Sequence, residues 1–198
     1  CSSDLGQPEL FNWDALRFAW AANNPDYVTW FDDFLGDAVN STWQPTTSTG
    51  ATIAINSQVG GAIRFTTDTD DDDFAYLTLG LHWKVSNGPI VFGARVKTVT
   101  ASTLRAIEVG LSDALTETNG LAFSNHSVAG VTAVATDGVI FGYDTDASMT
   151  NWALNTVNTD AETATDSGVA PSTSYQELVI VVLADGTAFF YIDGELIS

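Results

Sequence analysis

Residues 177–192, ELVIVVLADGTAFFYI, decide the fold. From Leu178 to Leu183 every side chain is apolar, on both parities of an extended chain, which marks a central strand covered on both faces. Asp185-Gly186 then supplies a tight turn, and Thr187 to Ile192 return as a second strand. The same period of two continues outward. In residues 89–99, PIVFGARVKTV, the side chains of Ile90, Phe92, Ala94 and Val96 point one way while Arg95 and Lys97 point the other, as in a strand half buried against a core. Comparable runs at 30–34, 51–55, 62–66, 74–79, 104–113 and 139–144 bring the expected total to about nine or ten strands. Asn87-Gly88-Pro89, Asn119-Gly120, Asp137-Gly138 and Asp193-Gly194 read as further turns.

Strands without intervening helices, over about 170 residues, predict an all-β fold, a two-sheet antiparallel sandwich in preference to a barrel. Composition points the same way. Aspartate outnumbers glutamate 19 to 6, lysine stands only at Lys84 and Lys97, and Thr, Gly, Val and aromatic residues abound, whereas helices favour Glu, Lys, Leu and Gln. Of the 198 residues 45% are hydrophobic, which excludes intrinsic disorder, and no run approaches the ~20 apolar residues of a membrane span. Six basic against 25 acidic residues give a net charge of −19, a surface that repels phosphate backbones and anionic lipid. Nucleic acid and membrane are therefore not expected partners. Cys1 is the single cysteine, so no intrachain disulfide and no cysteine-based metal site can form.

Residues 1–6 resemble a translated adapter tail and are read as non-native. Residues 7–27 are expected to form a helical arm. Within 8–24, PELFNWDALRFAWAANN, Phe11, Ala15, Phe18 and Ala22 fall at helical spacing, and Leu10, Trp13, Leu16 and Trp20 make the other faces apolar. Such a helix either packs on its own domain or docks on another subunit. The sandwich would then occupy residues 28–198, with a C-terminus that reads as cut soon after the strand and turn at 189–194.

A resemblance runs through Phe31-Asp32-Asp33-Phe34, Gly60 to Phe65, Gly93 to Lys97, Val109 to Asp113, Gly138 to Asp144 and Asp185 to Gly194. In that order these segments resemble the concanavalin A-like, or laminin G-like, jelly-roll superfamily, over about residues 28–195, and most closely its versions among tailed-phage structural and capsid-decoration proteins. The resemblance implies a jelly-roll sandwich on a virion surface, with capsid or tail proteins as partners, glycans as a further ligand class and oligomers as an option. A secreted bacterial carbohydrate-binding module is the alternative. A laminarinase-type glycoside hydrolase is the second alternative, but those enzymes carry Glu-x-Asp-x-x-Glu on one strand, and that motif is absent. The nearest strand has Glu108, and its next carboxylate, Asp113, lies roughly 16 Å along the chain with opposite parity. Retaining hydrolysis needs two carboxyls about 5–5.5 Å apart. Glu108 is therefore expected to be a solvated or arginine-paired strand residue, and the chain is read as non-enzymatic.

Three further groups have chemistry to offer. The run 68–73, DTDDDD, repels itself unless it is hydrated or holds a cation; Ca²⁺ there would use Asp70 and Asp72 with Asp68 or Asp73. It is not an EF-hand, because the sixth position is Asp73 rather than glycine. Tyr143 and Asp144 with Asn151 and Trp152 combine an aromatic face with polar acceptors, the set a lectin uses on a sugar, and Trp152 equally suits the core edge. His82 and His126 have no metal-ligand spacing; Ser124, His126 and Asp113 could compose a triad, but no Gly-x-Ser-x-Gly elbow exposes a serine. Both histidines are expected to be structural.

Overall fold

Alternating burial organises the chain into strands. The computed structural model describes residues 28–68, 73–98, 106–114 and 121–198; the tail expected at 1–6 and the helical arm expected over 7–27 lie outside them. In chain order the strands are β1 Gln44–Thr47, β2 Thr52–Ile55, β3 Ile63–Thr66, β4 Ala75–Thr78, β5 Ile90–Val96, β6 Ala106–Ser112, β7 Phe123–Asn125, β8 Thr132–Ala133, β9 Asp137–Asp144, β10 Ala153–Asn158, β11 Ala161–Asp166, β12 Gln176–Val182, β13 Ala188–Ile192 and β14 Glu195–Leu196. Two antiparallel four-stranded sheets dominate, with orders β11-β10-β9-β6 and β14-β13-β12-β5. β1 pairs with β4, β2 with β3 and β7 with β8. The chain divides into two units, residues 1–39 with 55–63 and residues 40–54 with 64–198; both large sheets belong to the second.

The two sheets face each other across one apolar core, which makes the second unit a β-sandwich. Phe141, Tyr143, Trp152 and Leu154 enter it from the first sheet, and Leu178, Ile180, Val182, Phe190 and Ile192 from the second. The rings interlock edge to face, Phe141 on Phe190 with centroids 5.1 Å apart and on Trp152 at 6.4 Å, the geometry that aromatic quadrupoles favour. β12 is central, between β13 and β5, as its sequence requires. Its cover differs on the two faces. Leu178, Ile180 and Val182 are buried, but Val179 and Val181 are half-buried, shielded from the side by cross-strand neighbours Tyr191 and Phe189. Val91, opposite Val181, is 58% exposed, so lateral contact within the sheet replaces a covering layer there.

Turn chemistry sets the connections. Between β12 and β13, the Leu183 amide donates to the Thr187 carbonyl while Gly186 adopts φ +89°, a left-handed conformation open to glycine. The Asp185 carboxylate accepts the Thr187 amide at 2.9 Å, and this bond holds its pKa below the ordinary value. β10 turns into β11 through Thr159 and Asp160, both at positive φ, the two-residue geometry usually given to Asn-Gly. That turn therefore carries no glycine signal, and the hairpin it makes was not legible. Asp137-Gly138, expected as a turn, instead begins β9, since Asp137 is capped from outside when the Asp113 carboxylate accepts its amide at 3.0 Å. Residues 30–34, expected as a strand, are not extended in a sheet: the carboxylates of Asp32 and Asp33 accept the amides of Phe34 and Leu35, at 2.8 and 3.1 Å, and Phe34 takes φ +55°. Among the described residues no helix is long and apolar enough to cross a membrane.

Truncating the interlocked rings tests this core. Phe141→Ala and Leu178→Ala are each expected to lower unfolding free energy by about 3–5 and 2–5 kcal/mol, whereas Val91→Ala should cost under about 0.5 kcal/mol. Urea denaturation measures all three; equal effects for Val91 and Phe141 would contradict the assignment of faces.

Candidate functional site

The first sheet has a second face, away from the sandwich core, and it is roofed. Register places Glu108, Gly142 and Asp144 on that face, with Ile140 and Asn155 beside them. Residues 121–136, which contain β7 and β8, lie over it. Their Ala122, Phe123 and Ala135 pack on Ile140 and Val157 as a second, smaller apolar cluster.

One carboxylate fastens the roof. Glu108 Oε2 accepts the Ala122 amide at 2.6 Å and Oε1 accepts the Phe123 amide at 2.7 Å. His126 Nε2 stands 2.9 Å from the same Oε1. A carboxylate only accepts, so the partner assigns a proton to Nε2, which donates. The ring is fully buried, and its backbone carbonyl accepts the Asn155 Nδ2 at 3.1 Å. Nδ1 points towards Asp144 Oδ2 at 3.9 Å, beyond hydrogen-bond length. Asp144 uses its other oxygen to accept the Asp146 amide at 2.8 Å. Gly142 makes this possible. Directly opposite Glu108 in the ladder, it lies so close to the His126 ring and the Asn155 amide that a Cβ would overlap both.

The environment of Glu108 corrects the expectation of a solvated or arginine-paired residue. Its side chain is 13% exposed and its oxygens meet two backbone N–H groups and an imidazole. Glu108 lies on the parity opposite to Ile107, Val109 and Leu111, which pack on the sandwich core, and the roof that covers it arises from residues 121–136, whose alternation is too short to announce a sheet. Nor does a triad assemble from Ser124, His126 and Asp113. Asp113 accepts the amides of Thr136 and Asp137, Ser124 donates to the Thr132 carbonyl, and His126 is held by Glu108.

The four residues read as a lectin-like set lie close in the chain but present no open ring. Trp152 is 1% exposed and Tyr143 9%, their rings meeting edge to face at 6.0 Å inside the sandwich core. Trp152 Nε1 donates to the buried Gln176 at 3.2 Å. Asn151 donates to the Asp166 carboxylate at 3.0 Å, and Asp144 serves the turn that follows it. Both aromatic faces are thus engaged in packing. Of the acidic run, Asp70 and Asp72 lie outside the described residues; Asp68 packs its carboxylate against the turn at Gly50, and Asp73 directly precedes the β4 region. Among the described residues no three His, Cys, Asp or Glu side chains are grouped to hold a metal ion.

Comparison of the chain with family models, with curated proteins and with solved structures finds no match in any of the three.

The fastening predicts large, specific losses. Glu108→Ala leaves two amides and the His126 ring without their acceptor, and its expected cost is about 3–5 kcal/mol of stability. Gly142→Ala should cost about 1–3 kcal/mol by forcing His126 and Asn155 apart. Chemical denaturation reads both, and a Glu108→Ala variant within about 0.5 kcal/mol of the parent would refute the fastening.

Proposed function

We propose that this chain is a non-enzymatic sandwich module of a tailed-phage virion surface, which acts by adhesion. The observation that carries the reading is the closed outer face of the first sheet. A hydrolase of this architecture needs an open groove on a sheet with a pair of carboxyls facing it. Here the strand glutamate at that position holds down a roof, with His126 fully buried beneath it. The arrangement stiffens a scaffold and offers a substrate no approach.

The virion reading rests on the resemblance of the sequence segments to concanavalin A-like jelly rolls; that most of these segments lie in the two facing sheets supports the sandwich itself. The charge supports it as well. A net charge of −19 keeps densely displayed copies soluble and repels non-specific polyanions. Capsid or tail proteins are the docking partners in this reading, and glycans on the encountered surface are the adhesion ligand.

Immunogold labelling of density-banded tailed phages from the community that carries the gene tests the location. Gold on capsids or tails is the expected outcome; label confined to bacterial culture fluid would favour the secreted carbohydrate-binding module instead. The non-enzymatic half has its own assay. The purified chain is expected to release no reducing ends from laminarin, agarose or carrageenan, and sustained release that copurifies with it would overturn the reading.

A further inference from the structure

Of the Asn-Gly and Asp-Gly steps in the sequence, four lie among the described residues: Asn87-Gly88, Asp137-Gly138, Asp185-Gly186 and Asp193-Gly194. Three of them tie up the side chain that precedes the glycine. The carboxylates of Asp137, Asp185 and Asp193 accept the amides of Thr159, Thr187 and Glu177, at 3.1, 2.9 and 2.8 Å. Asn87 differs, because it is exposed and its carboxamide has no hydrogen-bond partner among the described residues. It is also the one carboxamide of the four. An ionised carboxylate repels a nucleophile, whereas a carboxamide carbon accepts one and can expel ammonia.

The next residue supplies the nucleophile. Val85–Asn87 form a single 3₁₀ turn, in which the Asn87 amide donates to the Lys84 carbonyl at 2.9 Å and the Gly88 amide to the Val85 carbonyl at 3.0 Å. Gly88 follows at φ +148°, a conformation that favours glycine, and no atom lies within 4 Å of the place a Cβ would take. The Gly88 nitrogen is therefore open on that side. Its restraint is the bond to Val85, which is weak, since a 3₁₀ turn closes with poor geometry and this one contains no buried residue. Val85 packs half-buried against the sandwich core and anchors the near end of the turn. Ser86 and Asn87 are exposed, so the Gly88 amide is released by a local opening that leaves both sheets intact.

We propose that Asn87 is a self-modification site, converted to isoaspartate and aspartate through attack of the Gly88 backbone nitrogen on its side-chain carbonyl carbon. The bond from the Gly88 nitrogen to Cγ forms as the amide proton passes to hydroxide. The Cγ–Nδ2 bond then breaks, ammonia leaves with a proton from water, and a five-membered succinimide remains. Water opens that ring at either carbonyl: cleavage at Cγ gives aspartate, and cleavage at the main-chain carbonyl gives isoaspartate, with the backbone routed through the side chain. One water is consumed and one ammonia released in sum, without oxidant or cofactor. Each conversion adds one negative charge. Isoaspartate also adds one backbone atom just ahead of β5, whose Ile90 begins the pairing with Val182. Because the change is irreversible and its rate is set by the turn, the converted fraction records the age of the folded chain.

Timed incubation of the full chain at mildly alkaline pH, followed by peptide mass spectrometry and methylation with an isoaspartyl methyltransferase, tests it. The peptide that contains Asn87 is expected to gain one mass unit and to become a methyl acceptor, with isoaspartate exceeding aspartate. Conversion in the folded chain should run within about tenfold of that in the guanidinium-unfolded chain, since the opening it needs is local. Asn87→Gln cannot close a five-membered ring, so it should lose the methyl acceptor at this position while its melting transition stays that of the parent. The inference is overturned if residue 87 in the folded chain converts more slowly than that tenfold margin, which would mean that the Val85 bond protects it. It is equally overturned if the product is aspartate alone, the mark of direct hydrolysis without a succinimide, or if Asn87→Gln leaves the yield of methyl acceptor unchanged, which would place the reaction elsewhere in the chain.

Discussion

The Glu108 carboxylate is the point on which the far side of the sandwich depends. Two oxygens take two consecutive backbone amides and one imidazole N–H, all within 2.9 Å. Charged acceptors make such bonds stronger than neutral ones, and partial burial limits the competition from water. The segment it holds, residues 121–136, contributes three of the five buried residues of a small apolar cluster and has two short strands of its own. That is little to hold a loop in place. The carboxylate turns a covering loop into a layer, and the first sheet thereby acquires a core on each face.

One consequence follows for the sheet itself: position 142 is a glycine, because the imidazole and the Asn155 amide occupy the space where a side chain would stand. On the opposite parity, and independently of the roof, Tyr143 and Trp152 are enclosed between the two sheets, so the conspicuous aromatic residues are structural.

The sandwich was legible because its strongest strands are apolar in a strict pattern. β5, β12 and β13 appear where alternation and the Asp185-Gly186 turn put them, and β12 is central. β10 and β11 were not legible. Asn155 breaks the apolar row of β10 while being fully buried, AETATD in β11 has no apolar face, and the turn between them places Thr159 and Asp160 at positive φ without a glycine. The strand expected at 30–34 failed for the opposite reason, since two aspartates captured neighbouring amides more effectively than a partner strand could. At the candidate site, Glu108 lies on the parity opposite to Ile107, Val109 and Leu111, but its donors sit 14 to 18 residues away in a segment of mixed Ser, Thr, Ala and Gly. A contact made by loop closure leaves no period in the sequence.

Native-state amide hydrogen exchange at Ala122 and Phe123 measures the central interaction most directly. Loop amides ordinarily exchange through small local openings, whereas those locked into the core exchange only when the domain unfolds. If Glu108 holds the roof as described, the two amides exchange as slowly as those of β9 and β12, with protection that disappears in Glu108→Ala. Exchange at Ala122 and Phe123 as fast as at the solvent-facing turn amides of Asp146 and Thr187 would contradict the account.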